Sequence, residues 1–428
     1  VFEHVSALVD KSLVVADPGA ATYRLLETIR QYAASRLIAT GTAEVVRARH
    51  ADHYRALALG IAPALTGPTD VAAIERLSAD IENVRLMLDW YHDHGEADVV
   101  ADVIVELGPF WFWRGHAQEI ITRLEATIDP LGDDHHRLSR VHAMLTWMKA
   151  GVGYLGIPEH AERSAEHAAL AGRAPLVQSL NGLATYYMTF GGDTERAIEQ
   201  NRIAVATARA EGLVYWAVWA QLNGLTYTAL LAPGTDETLR LADAARHDAD
   251  RTGSVVLRQQ WLSAMALALR PVDPDGALAL LEESVELATH ANLTEAVAIA
   301  EFLRGVVLFT RRRYPDAATA MRRALIGNHD MGNRRGMLNV LSAVTGLADR
   351  AGRPETAAVL FAGLRSARDE YELPGSANER DAEERIAEHL QRRPGHDDAA
   401  HPVRRLDIEA TVDLALDTLD DIAADERS

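Results

Sequence analysis

The chain has 428 residues, 48% hydrophobic and 25% charged, which is long enough to bury several cores. Its 43 Lys and Arg stand against 62 Asp and Glu, a formal charge of −19, which disfavours a surface that coats DNA or RNA by releasing counterions. The lack of Cys excludes a disulfide framework, thiolate chemistry and Cys-ligated zinc, and it fits a reducing, cytoplasmic setting.

In chain order, residues 1–50 differ in texture from the rest. Val5 to Val9 ends a short helix, Ser12 to Ala16 reads as a strand, Asp17-Pro18-Gly19 as a turn, and Thr22 to Leu26 as the returning strand. Glu27 to Ala39 follows as a helix, with Ile29, Tyr32, Ala33 and Leu37 at helical spacing. Helix, two-stranded wing and helix make the tail of a winged-helix domain. The chain starts at Val1 inside this pattern, without Met or a signal peptide, so we expect a piece of a longer polypeptide.

Beyond Val45 the sequence predicts helices at about 44–61, 70–94, 97–113 and 116–128. The longest apolar run, Val99 to Trp113, is broken by Asp102, Glu106, Gly108 and Pro109. It falls short of the roughly 18 residues of a membrane span and reads as a buried helix, so no membrane partner is expected. Between about 139 and 370, second helices of successive pairs begin near Pro158, Asp193, Thr235, Pro274, Tyr314 and Pro354, with a period near forty. Ala171-Gly172, Glu211-Gly212 and Thr252-Gly253 read as helix stops, because Gly takes the left-handed conformation without penalty. Gly305 would permit close helix approach, and Ala317 and Ala324, like Ala197 and Ala204, share a face. Residues 374–404, with Pro374-Gly375 and Pro394-Gly395, read as a helix between loose connections. Glu409 to Leu419 is a last helix, with an acidic end expected to fray.

The expected fold is therefore all-α: a right-handed superhelical solenoid of tetratricopeptide-like hairpins, preceded by a partial winged helix. The domains are 1–50 (partial winged helix), 51–138 (helical linker bundle), 139–370 (repeats) and 371–428 (C-terminal helical extension).

Leu8 to Val14, Tyr23 to Ala33, Arg49 to Tyr54, Asp80 to Arg85 with Trp90, and Phe112 to Gly115 resemble a widespread bacterial family. Its members are the large signal-transduction ATPases with numerous domains, including LuxR-like actinobacterial transcriptional regulators. The likeness covers roughly residues 1–130, and Ile408 to Leu419 resembles the family's last helix before its output domain. The repeats resemble tetratricopeptide repeats more loosely: Gly305, Tyr314, Ala317, Met321 and Ala324 fit, whereas Glu301 and Arg304 stand where the head of a repeat carries Trp and Leu. The resemblance implies an ATPase module upstream, or a nucleotide cyclase in some relatives, and a DNA-binding helix pair downstream. The phosphate-binding loop ending in Gly-Lys-Ser/Thr does not occur in this sequence. We therefore expect a non-enzymatic regulatory and sensor segment without cofactors or direct nucleic-acid binding, whose partner is a protein or a small effector. The alternatives are the non-catalytic arm of an ATPase or cyclase, or a passive oligomerisation scaffold.

No catalytic or metal-binding residue is expected. His50, His53 and Asp52 lack the further ligands a metal needs. His135-His136, His92 and His94 read as solvated connections, and Glu282-Glu283 and Glu383-Glu384 as solvated helix faces. Lys11 and Arg24 flank the wing but make only two basic points. The candidate site is a groove across the first helices of the second to fourth units. It comprises Asn181, Tyr187, Tyr215, Trp219, Gln221, Asn223, Arg258, Gln259 and Trp261, where aromatic anchors alternate with polar neighbours. Hairpin packing alone is the competing explanation of these aromatics.

Overall fold

The computed structural model describes residues 2–17, 22–174, 176–190, 192–373, 375, 377–391 and 406–425. Contacts divide these into two compact units. The first joins residues 1–57 with 81–95, and the second joins 58–80 with everything from Glu96 onward.

The first unit opens with α1 (Phe2–Asp10), a hairpin of β1 (Val14–Asp17) and β2 (Thr22–Leu25), and α2 (Glu27–Ala39). The strands are antiparallel, with Val14 opposite Leu25. The Pro18-Gly19 part of the expected turn lies outside the described residues, as do Pro374 and Pro394-Gly395. None of α2 is buried, and Tyr23, Leu26, Tyr32 and Ile38 all lie exposed. The rest of this unit is the first part of α3 (Ala43–Ile61), with α5 (Ile81–Asp93) packed on it. The Tyr91 hydroxyl donates to Asp52 at 2.8 Å, and His50 Nε2 lies 3.3 Å from Asn83 Oδ1. His94 lies exposed in a turn, as expected, and there it stacks on Trp90 and meets Glu44 at 2.8 Å.

The second unit begins with a 3-10 turn (Ala62–Thr66), α4 (Asp70–Ala79), α6 (Ala97–Glu106), α7 (Gly108–Trp113) and α8 (Ala117–Glu125). Each of the two long helices expected here breaks once. The first stops at Asp80. The second stops at Leu107, because Pro109 lacks a backbone N–H and is tolerated only in a first helical turn.

Six hairpins follow: α9 (His135–Val152) with α10 (Ile157–Leu170), α11 (Val177–Thr189) with α12 (Thr194–Ala210), α13 (Val214–Leu231) with α14 (Asp236–Thr252), α15 (Val255–Leu269) with α16 (Pro274–His290), α17 (Thr294–Thr310) with α18 (Tyr314–Asp330), and α19 (Arg334–Arg350) with α20 (Pro354–Tyr371). Every second helix starts within a residue of its predicted position. Asp193, Thr235 and Asp273 cap three of them through side-chain oxygens, and Gly172, Gly212 and Gly253 take positive φ at the stops. A Cβ on Gly305 would lie 2.7 Å from Met321 Cγ, so α17 and α18 approach through that glycine. Ala197, Ala204, Ala317 and Ala324 are fully buried at the same kind of contact. This is an all-α solenoid of stacked hairpins, in which each pair covers the apolar stripe of the next.

After the hairpins come α21 (Ala377–Gln391) and α22 (Ile408–Ala424). The last helix packs Val412, Ala415, Leu419 and Ile422 into the core of the final hairpins. Its acidic end does not fray within the described residues: Arg353 holds Asp421 at 2.7 Å and Asp425 at 3.0 Å. Glu383 on α21 is likewise no solvated carboxylate, being buried in an ion pair with Arg368. Glu283 is paired too, with Arg258 at 2.7 Å. No helix among the described residues is long and apolar enough to cross a membrane.

Candidate functional site

The first helices of the six hairpins touch in sequence: α9 with α11, then α13, α15, α17 and α19. The ring is completed by contact of α19 with α9. Glycines without side-chain bulk make the closing seam. A Cβ on Gly153 would fall 2.8 Å from Arg335 Cβ, and one on Gly115 would overlap Met331. Arg114 donates to the carbonyl of Asn292 across the same seam. A second seam joins α4 to α15. There the fully buried Asp70 accepts from the Ser254 hydroxyl at 2.6 Å and from the N–H of Val256 at 3.2 Å, capping the start of α15 from 184 residues away in sequence.

Within the ring lies a cavity of about 700 Å³, to which all six inner helices contribute, together with α7 and α21. That volume is in the range of small-molecule sites. One wall is aromatic. Phe112 stacks on Trp147 at 5.0 Å between ring centres, and Trp219 meets Trp147 edge-on at 5.3 Å. Trp113, Tyr227, Phe302 and Phe309 extend the apolar lining. Tyr227 gives or takes a hydrogen bond with Thr185 at 2.8 Å, and burial pushes its hydroxyl up to about 12.

The charged groups of the lining include clusters at the two ends of α19. At its start, Asn333 caps the helix by accepting from Gly336 N–H, and its amide reaches the Glu295 carboxyl at 3.2 and 3.4 Å. Glu295 is only 2% exposed, and burial raises its carboxyl from the ordinary range to about 7, against the opposing pull of Arg335 and the Asn333 hydrogen bond. Arg335, half-buried beside it, has no hydrogen-bond or ion-pair partner among the described residues. Its neighbour Arg334 is differently placed, lying between the rings of Tyr154 and Tyr371 at 4.2 and 4.6 Å. At the far end of α19 stand Asp349 and Arg350, with Glu379 and Arg385 of α21.

Of the nine expected groove residues, the structure brings Trp219, Asn223 and Gln259 to the cavity. The other six are placed elsewhere. Asn181 accepts from the amide of Asn201 inside the α11–α12 contact. Tyr187 packs beside a small core of Ala184, Met188, Ala197 and Tyr227. Tyr215 is fully buried, and its hydroxyl is pushed up accordingly. Gln221 meets Arg209, Arg258 pairs with Glu283, and the Trp261 ring nitrogen donates to the Ala242 carbonyl. Sequence reasoning missed Phe112, Trp147, Glu295, Asn333 and Arg335. The one signal for Glu295 was a carboxylate opening the otherwise apolar stretch Ala296-Val297-Ala298-Ile299.

A row of imidazoles lies apart from the cavity, between α9 and α10. His135 Nδ1 and His167 Nδ1 are 3.0 Å apart, His142 Nδ1 and His160 Nδ1 are 2.9 Å apart, and His142 stacks on His167. His135 and His136 thus open a helix and are not loop residues. Burial lowers His142 and His160 to about 4. Among the described residues no group of three or more His, Asp or Glu is arranged to hold a metal ion.

No family model matches the chain. Over 144 residues, 32% of its length, the chain is 36% identical to proteins of Mycobacterium bovis and of two strains of Mycobacterium tuberculosis, each bearing the name of an HTH-type transcriptional regulator. The matched stretch spans 16% of each of those regulators, so the similarity covers a small part of them.

Proposed function

We propose that this chain is the sensor segment of a multidomain transcriptional regulator of the LuxR-like, signal-transduction ATPase type, and that a small effector binds inside its ring of helices. The observation that carries the reading is the cavity of about 700 Å³, walled by aromatic side chains and bounded by polar groups. The partial similarity to transcriptional regulators supports a regulatory role. The exposed apolar side chains of Tyr23, Leu26, Tyr32 and Ile38 support a neighbouring module of the same polypeptide packing on the first unit. In this reading the segment performs no chemistry and holds no cofactor, and it works in the cytoplasm. An occupant of the ring acts by favouring one arrangement of the hairpins, to the extent that it binds that arrangement more tightly.

The cavity favours a small effector over a protein partner, because its aromatic wall lies within the ring of inner helices. Filling it is the test. Asn339 lines the cavity from a half-buried position on α19, and Asn339→Trp would occupy the space without removing a packed side chain. The neutral dye Nile red should bind the wild-type chain and fail to bind the variant at equal helix content. In the longer regulator the variant should hold reporter transcription at one level. Dye binding that is unchanged in Asn339→Trp would remove the cavity as the site.

A further inference from the structure

We propose that the effector is an amphipathic acid, a flat or extended apolar body bearing one carboxylate, with Arg335 as its counter-ion. This rests on the cavity being the effector site and goes on to assign the ligand's chemistry.

Cations and anions around this ring are mostly paired, as in Arg258 with Glu283 and Arg368 with Glu383. Arg334 is held between two tyrosine rings. Arg335, next in sequence and turned to the cavity, keeps five N–H donors without an acceptor among the described residues. A guanidinium in a mainly apolar cavity calls for a planar oxyanion, which it can hold through two parallel hydrogen bonds. Glu295 stands near enough to feel the charge of Arg335, but it makes no hydrogen bond or ion pair with it and takes the Asn333 amide instead. Two helix starts also converge here: Glu295 lies in the first turn of α17 and Arg335 in the first turn of α19, and both dipoles favour an incoming negative charge.

The apolar part of the ligand follows from neighbouring contacts. Gly153 adjoins the backbone and Cβ of Arg335, Gly151 adjoins the Phe112 ring, and the Phe112–Trp147 stack lines the same cavity as Arg335. The other charged cluster, at Asp349 and Arg350, is fourteen residues further along α19, about 21 Å away at 1.5 Å per residue. The lining also includes Met188, Leu267, Phe302, Leu303 and Val306, with Asn339 and Ser342 between the two charged ends of α19. A ligand with its carboxylate on Arg335 therefore lays its body against aromatic and aliphatic surface.

Three probes of one shape test this on the whole chain by calorimetry: 2-naphthoate, 2-naphthalenemethanol and 2-naphthylmethylammonium. Naphthoate should bind at least about tenfold more tightly than the alcohol, the least expected of a charge-assisted pair, and the ammonium should bind most weakly. Arg335→Gln should erase the preference for naphthoate while leaving the alcohol's affinity and the far-ultraviolet circular dichroism unchanged. Arg335→Lys should restore part of it. A preference for the ammonium, or a naphthoate preference that survives Arg335→Gln, would overturn the assignment of charge. If the alcohol binds in wild type and not in Asn339→Trp while naphthoate shows no advantage, the effector cavity stands and the acid does not. If none of the three binds, the proposal fails together with the cavity on which it rests.

Discussion

At the scale of single residues, His142 and His160 titrate in the opposite sense to Glu295. His142 and His160 are held near 4 in the folded chain, whereas an unfolded histidine titrates near 6.5. As pH falls from 6.5 towards 4, the unfolded state takes up protons that the folded state refuses, so stability falls across that window and levels off below it. Each group contributes at most about 1.4 kcal/mol per pH unit, and with partial solvent screening the pair should lose about 2 kcal/mol between pH 6.5 and 5. Glu295 runs the other way. Raised from 4.5 to about 7, it holds a proton in the folded chain that the unfolded chain has released, so its stabilising share is lost as pH rises through that interval. Urea unfolding at pH 6.5 and pH 5 checks the balance. The double variant His142→Phe, His160→Phe should flatten the acid slope, and an unchanged slope would show that these rings do not set it. None of this was legible in the sequence. His142, His160 and His167 lie on two helices, and only the hairpin's packing brings their rings into register. Trp219 was legible as an anchor, but besides nearby Trp216 it meets the ring of Trp147, more than seventy residues earlier.

Helices and their junctions were the most readable part of the sequence, because local chemistry sets them. Asp193, Thr235 and Asp273 announce helix starts through oxygens that accept from the third residue on, and Gly172 and Gly212 announce stops through positive φ. The breaks at Asp80 and Leu107 were missed because helical spacing of apolar residues resumes directly after each, at Ile81 and Val84 and at Phe110 and Trp113. Which glycines matter for packing follows from the neighbours and not from the local sequence. A Cβ on Gly182 would lie 2.8 Å from the backbone carbonyl oxygen of Thr146, which cannot step aside, whereas one on Gly212 would meet nothing. Gly182→Ala should therefore separate α9 from α11 and cost about 1–3 kcal/mol. Gly212→Ala should cost about 1 kcal/mol, from backbone strain alone. Thermal or urea unfolding of the two variants side by side orders them, and an equal loss in both would contradict the close-contact explanation. Circular dichroism of Gly212→Ala should match the wild-type chain.

For the second unit as a whole, the forty-residue period foretold stacked hairpins but not that the inner helices close on themselves. Closure rests on pairs far apart in sequence, such as Gly153 with Arg335 and Arg114 with Asn292, and no local pattern encodes them. Asp70→Ala would leave the Ser254 hydroxyl and the Val256 N–H unsatisfied in a fully buried place, at a cost of about 1–3 kcal/mol. It should also weaken Nile red binding, because the seam borders the helix that carries Gln259 and Leu267 into the cavity. Loss of stability with unaltered dye affinity would show the seam to be a structural clamp alone.

An open array of hairpins can gain or lose a copy, since each member touches only its neighbours and a terminal member can be replaced by another. A cycle has no terminal member. With α19 seated against α9, splicing out α13 and α14 would leave α11 facing α15 across a gap that the α4–α15 and α7–α17 contacts prevent from shrinking. Six is thus a fixed number for this molecule, and its length can drift only in the outer loops and beyond the ring. The same arithmetic governs how it comes apart: an open array sheds its ends first, whereas here any one hairpin that melts opens the ring and its cavity at once.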